Sequence, residues 1–99
     1  MTVKKSTAKL AHVLQDQESK ALIAKRIKRA HGQLGAVARM LEEDRSCDEI
    51  VTQMGAASKA INIAALTLIS TSMQECMAEG GKEATAVKGQ LEKLLLIFA

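Results

Sequence analysis

Proline, tryptophan and tyrosine are missing from the 99 residues, and the single aromatic side chain is Phe98. With 47% hydrophobic and 25% charged residues and no glycine repeat, the chain is neither collagen-like nor disordered, and two cysteines are too few for a disulfide framework. Long apolar runs are missing too. Nothing approaches the roughly 18 residues of a membrane span, and the opening MTVKKSTAKL lacks the apolar segment of a secretory signal, so a cytoplasmic protein without a membrane partner is expected. The shortage of aromatics limits how much area each core residue can bury. A chain this short covers only about two-thirds of its unfolded surface, so one globular domain that associates with copies of itself is expected. There is no phosphate loop, no paired-carboxylate site and no histidine placed to activate a cysteine, so the reading is not an enzyme.

What charge there is falls unevenly. Up to Arg45 there are ten Lys and Arg against five Asp and Glu; beyond it there are four against six. The basic half should face an anionic partner. Lys25, Arg26, Lys28 and Arg29 place four positive charges in five residues, and with no ring nearby to stack on bases they suit duplex phosphates better than single strands. The bland alternative for such a run is a solvated helix face. No helix-turn-helix signature is present.

Hydrophobic periodicity predicts an all-α architecture: two long helices in an antiparallel hairpin plus a short third helix. Residues 1–17, with Lys4, Lys5 and Lys9, read as a basic N-terminal arm, and 18–99 as a single helical domain. In the first helix, from about Ser19 to Glu43, the stripe is Ile23, Ile27, Ala30, Leu34, Val37 and Leu41. Asp44 and Arg45 make the break. Ser46-Cys47-Asp48-Glu49 fits a capping box and opens the second helix, whose stripe is Ile50, Met54, Ala57, Ile61, Ala64 and Leu68, with Gly80-Gly81 as its stop. About 31 residues at ~1.5 Å each make a rod of roughly 45 Å, too long for a compact monomer of this size. The third helix carries Val87, Leu91, Leu94 and Phe98 on one face.

Cys47 and Cys76 stand 29 residues apart, about eight helical turns, so they share a face of the second helix. They are also about 43 Å apart along a continuous helix, whereas a disulfide needs Cα atoms within roughly 7 Å. If two copies of this helix pack antiparallel about a two-fold axis, Cys47 of each lies beside Cys76 of the other. Cys47, in the first turn, meets unpaired N–H groups and the positive end of the helix dipole, which favour thiolate and suit an attacking thiol. Cys76, with Glu75 and Glu79 nearby, suits a resolving role. Two small buried hydrophobes are the bland alternative.

These residues resemble the copper-sensing operon repressor family of bacterial all-α DNA-binding proteins. The resemblance runs from Ala24 to Met77: Arg26-Ile27-Lys28-Arg29 into Gly32-Gln33, Met40-Leu41-Glu42-Glu43-Asp44, Cys47, Thr52-Gln53, Ala56-Ala57-Ser58-Lys59 and Cys76. It implies a dimer of dimers bound to double-stranded operator DNA through a basic surface of Arg26, Arg29, Gln33 and Lys59, with Lys25 and Lys28 beside it. In the copper sensors, a histidine four residues before the second cysteine completes the metal site; here that position is Ser72, a poor donor for soft Cu(I). Two cysteines without the histidine, and the stretch Ile69 to Cys76, are most similar to the family's persulfide-sensing branch. That similarity implies sulfane sulfur as inducer, an interprotomer Cys47–Cys76 bridge that releases the DNA, and no metal or other cofactor. A Cu(I)-responsive repressor, or a basic helical module that binds an acidic protein or RNA, are the competing readings. Among single residues, His31 reads as a surface or DNA-facing side chain rather than a ligand, and His12 as an adventitious metal ligand at most, with no partner at helical spacing. Met40, Met54, Met73 and Met77 read as core filler, and Ser72 and Asn62 as polar groups near the thiols or an interface. Glu92 matches a family carboxylate position close to the sensor site.

Overall fold

A computed structural model describes residues 12–81 and 83–98. It contains α1 (Gln17–Glu42), α2 (Cys47–Glu79) and α3 (Ala84–Phe98), and no strand among the described residues. The all-α architecture is the one the periodicity calls for. Lys4, Lys5 and Lys9 of the basic arm lie outside the described residues.

Helix α1 starts two residues earlier than its apolar pattern suggests. Asp16 is its N-cap: the carboxylate accepts from the Ser19 backbone N–H at 2.9 Å and from the Ser19 hydroxyl at 2.6 Å. Those bonds to Ser19 hold the Asp16 carboxyl below its ordinary range. The helix ends where Asp44 takes a left-handed conformation, φ 56°, and the Arg45 N–H turns back onto the Met40 carbonyl at 3.0 Å. Ser46 then caps α2 by accepting from the Glu49 N–H at 3.2 Å. The reciprocal half of the expected capping box is redirected. The Glu49 carboxylate is held by Arg45 instead, through Nε at 3.1 Å and Nη2 at 3.0 Å.

The two long helices run antiparallel, since residues just before α1 are hydrogen-bonded to Glu75 near the end of α2. Their shared seam repeats every seven residues: Ile23, Ala30 and Val37 on α1, and Ile50, Ala57 and Ala64 on α2, are all buried. A seven-residue repeat keeps one narrow face toward a single partner helix, and three alanines in the seam allow close approach. This explains why only half of each predicted stripe is covered. Ile27, Leu34 and Leu41 are 49%, 46% and 60% exposed, and Met54, Ile61 and Leu68 of α2 are exposed as well. A stripe at three- and four-residue steps is wider than one neighbouring helix can bury.

Gly80, at φ 70°, ends α2, and with Gly81 at φ 89° it reverses the chain so that α3 packs back on α2. Here Ala84 and Val87 are buried with Cys76, and Leu91 packs against them. Leu94, expected on the same stripe, remains exposed because α3 meets only one side of α2. The result is a rod, 55 × 27 × 24 Å, with a radius of gyration of 17.0 Å against about 13 Å for a compact chain of this length.

Ser46→Ala removes the acceptor for the first turn of α2 and should lower the stability of the chain by about 1 kcal/mol, read from the urea midpoint at unchanged slope.

Candidate functional site

The chemistry-bearing residues fall on the two ends of α2 and on one flank of the hairpin. Cys47 is the first residue of α2 and is exposed, in a turn organised by the Ser46 cap. The nearby cation is already committed: Arg45 binds Glu49 with two hydrogen bonds, which draws the Glu49 carboxyl below its ordinary range and raises the Arg45 guanidinium. What remains at the Cys47 thiol is the end of the helix, with its free N–H groups.

Cys76 is in a different setting. It is 5% exposed, enclosed by Ala84, Val87 and Leu91 of α3, and its Sγ lies 3.6 Å from the Ala84 carbonyl oxygen, to which the thiol donates. Ser72, one turn earlier on α2, is also buried. The two thiols are not brought together. One continuous 33-residue helix separates them, by about 43 Å at ~1.5 Å per residue.

Next to Cys76, Glu75 serves as an anchor. Its carboxylate accepts from the backbone N–H of Gln15 at 2.9 Å and of Asp16 at 2.8 Å, and pairs with His12 Nε2 at 2.9 Å. The bond from the Gln15 N–H, with that from His12, holds the Glu75 carboxyl below its ordinary range. His12 is therefore a structural partner of the C-terminal end of α2, and the last residues of the expected arm are tied to it. Nothing in the sequence pattern signals this contact, which joins positions 63 apart. Glu92, in contrast, pairs with Lys88 at 2.9 Å on the exposed face of α3.

The basic run lies on α1. Leu22, Lys25, Arg26, Lys28 and Arg29 line one shallow surface, and Arg26 and Arg29 also border a groove whose other wall is Ala60 and Ile63 of α2. Lys59 is exposed one turn before Ile63, so it shares that flank of the hairpin. Gln33, one turn beyond Arg29, is half-buried, and its Oε1 has no hydrogen-bond partner among the described residues. The opposite flank is apolar: Ile27, Leu34, Ile61 and Leu68 frame a groove of about 370 Å³, with His31 and Phe98 at its edge. His31 is thus an exposed side chain beside an apolar surface rather than in the basic groove.

As a metal site the chain is poorly furnished. No group of three or more His, Cys, Asp or Glu side chains converges among the described residues, and the position one turn before Cys76 offers a hydroxyl where soft Cu(I) would need thiolate or imidazole. The residues present do not fit a copper centre within one chain.

The family model for metal-sensitive transcriptional repressors matches residues 19–99. The copper-sensing transcriptional repressor RicR of Mycobacterium tuberculosis is 40% identical over 62 residues, 59% of this chain and 65% of that protein, so the match spans just under two thirds of that relative. The copper-sensing transcriptional repressor CsoR of Bacillus subtilis is 30% identical over 84 residues, 85% of this chain and 82% of that protein. No solved structure matches the chain.

The Glu75 anchor has a pH signature. A carboxyl whose folded pKa lies below the ordinary 4.5 stabilises the fold above that value, and the stabilisation disappears as pH falls through the lowered one. Glu75→Gln should therefore be less stable than the native chain at neutral pH, and the gap should close in acid. Denaturation midpoints measured from neutral pH down to about pH 3 check this.

Proposed function

The chain belongs to the metal-sensitive transcriptional repressors, and on that premise we propose that it is a repressor whose inducer is sulfane sulfur rather than a metal ion. That it is a transcriptional repressor and not an enzyme follows from the family. The choice of inducer is carried by one observation: the buried residue one turn before Cys76 is Ser72, so α2 carries two thiols and no histidine to complete a Cu(I) site between them.

Two chains laid antiparallel along α2 bring Cys47 of one beside Cys76 of the partner subunit. The apolar flank supports such association. Full burial of a Leu, Ile or Met side chain is worth roughly 1.5–3 kcal/mol, and six such residues at about half exposure leave on the order of 5 kcal/mol per subunit to be gained by covering them. The sensing step is a sulfur transfer. The Cys47 thiolate attacks the terminal sulfur of a persulfide RSSH; the donor's S–S bond breaks and its thiol leaves. The deprotonated Cys76 of the partner subunit then attacks the Cys47 sulfur, and hydrosulfide leaves. Two thiols are oxidised by two electrons, and the sulfane sulfur is reduced to sulfide. The disulfide fixes the relation between two hairpins, and with it the spacing of their basic flanks.

Those flanks hold the operator in the cytoplasm. Arg26, Arg29, Gln33 and Lys59 are the central contacts, and Lys25 and Lys28 contribute at the margins. A shallow surface of this kind reads duplex phosphates and DNA shape, so a rigid change in the spacing of two copies weakens binding without altering either surface. A dimer of dimers presents four such surfaces. A second reading, Cu(I) as inducer, is favoured by the names of the two relatives, both copper sensors.

Polysulfide should release operator DNA while Cu(I) does not, and Cys47→Ala should remain bound in either case. Release of the Cys47→Ala protein by polysulfide would remove the mechanism, and stoichiometric Cu(I) binding coupled to release would establish the second reading. Arg26→Ala and Arg29→Ala should each weaken binding to any duplex sequence and lower the slope of log K against log salt by about 1, measured by fluorescence anisotropy.

A further inference from the structure

We propose that the first turns of α3 are a specificity shield: Val87 and Leu91, with the Ala84 carbonyl, close over Cys76 so that Cys47 is the one entry point for sulfur electrophiles. The inference rests on the sulfur-sensing reading and adds the residues that make Cys47 the first of the two thiols to react.

The two thiols differ in every respect that governs access. Cys47 is exposed at a helix start; Cys76 is 5% exposed, packed against Ala84, Val87 and Leu91, with its hydrogen directed to a carbonyl oxygen 3.6 Å away. A thiol packed against apolar side chains, with its sulfur against a carbonyl oxygen, is out of reach of dissolved reagents. It reacts only when α3 lifts. The junction is suited to that movement: α3 is joined to α2 through Gly80 and Gly81, both at positive φ, and it packs mainly on α2 rather than on α1. Its outer face, with Leu96 78% and Ile97 69% exposed, is unpacked within the chain.

A small open population scales every reaction of Cys76 by the same factor, so the shield alone does not choose among reagents. The choice comes from concentration. A dissolved electrophile meets the opened thiol at its own concentration, whereas a Cys47 persulfide held on the adjacent subunit is present at an effective concentration of about millimolar or more. Direct capping of Cys76 by dissolved disulfides or alkylating agents is thereby suppressed, and closure by the neighbouring persulfide proceeds. A bulky disulfide such as oxidised glutathione can form a mixed disulfide at Cys47, but the shield keeps it from capping Cys76.

The test is differential labelling of the reduced full-length protein with N-ethylmaleimide, read peptide by peptide by mass spectrometry. Cys76 should label at least about tenfold more slowly than Cys47 in the native protein, the two rates should converge in urea, and Val87→Ala combined with Leu91→Ala should speed Cys76 about tenfold with Cys47 unchanged. If that variant does not fold, the native-to-urea comparison for the natural chain decides. Equal native rates for the two thiols overturn the shield. So does slow Cys76 labelling that the α3 substitutions leave unchanged in a folded variant, since another surface would then be covering the thiol. A parallel polysulfide reaction separates the two levels: a slow, α3-dependent Cys76 with no interprotomer cross-link upholds the shield and refutes sulfur sensing.

Discussion

A continuous α-helix fixes the distance between its ends, and α2 is one such rod of 33 residues with a thiol near each end. At ~1.5 Å per residue no rotamer change or loop motion can join Cys47 to Cys76 of the same chain; only a second chain can. The rest of the molecule follows from that constraint. The rod is supported by α1 along a narrow seam in which Ala30, Ala57 and Ala64 allow close approach, which leaves an apolar flank on one side and a basic flank on the other. One scaffold thus separates the functions. In the proposed function the thiol chemistry takes place at the rod's ends, association along one side and DNA contact along the opposite side.

The ends of the rod are built differently, and each construction fits a role. At the Cys47 end, short-range capping by Ser46 and the Arg45–Glu49 pair set the backbone while leaving the thiol open to solvent. At the Cys76 end, two segments distant in sequence converge: residues 12–16 through the Glu75 carboxylate, and α3 through its apolar first turns. Strain introduced at Cys76 by a covalent bridge would therefore reach both the root of the basic arm and α3. The exposed salt bridges contribute little to stability, since pairs such as Lys88–Glu92 are worth only a few tenths of a kcal/mol.

Much of this was legible in the sequence, because the signals were local. The helices declare themselves by periodicity, α2 by the Ser46 cap and the Gly80 stop, and the shared face of the two cysteines by a spacing close to a whole number of turns. The Asp16–Ser19 cap was missed because it precedes the first apolar position. The burial of Ile23, Ala30 and Val37 in preference to Ile27, Leu34 and Leu41 was not legible either: a stripe records that a face is covered, not how many partners cover it. The His12–Glu75 anchor and the enclosure of Cys76 depend on where separate segments dock, and for the latter on the direction the chain takes through Gly80 and Gly81. Neither leaves a trace in composition or period.

The most direct test of the cross-subunit geometry mixes two singly altered chains. Cys47→Ala and Cys76→Ala proteins, unfolded and refolded together so that mixed assemblies form, retain one complete thiol pair only where the two chains differ. Polysulfide should cross-link the mixture into dimers joined through Cys47 of one chain and Cys76 of the other, and neither protein refolded alone should give that product. A mixture that stays uncross-linked while the natural protein forms its bridge would contradict the arrangement.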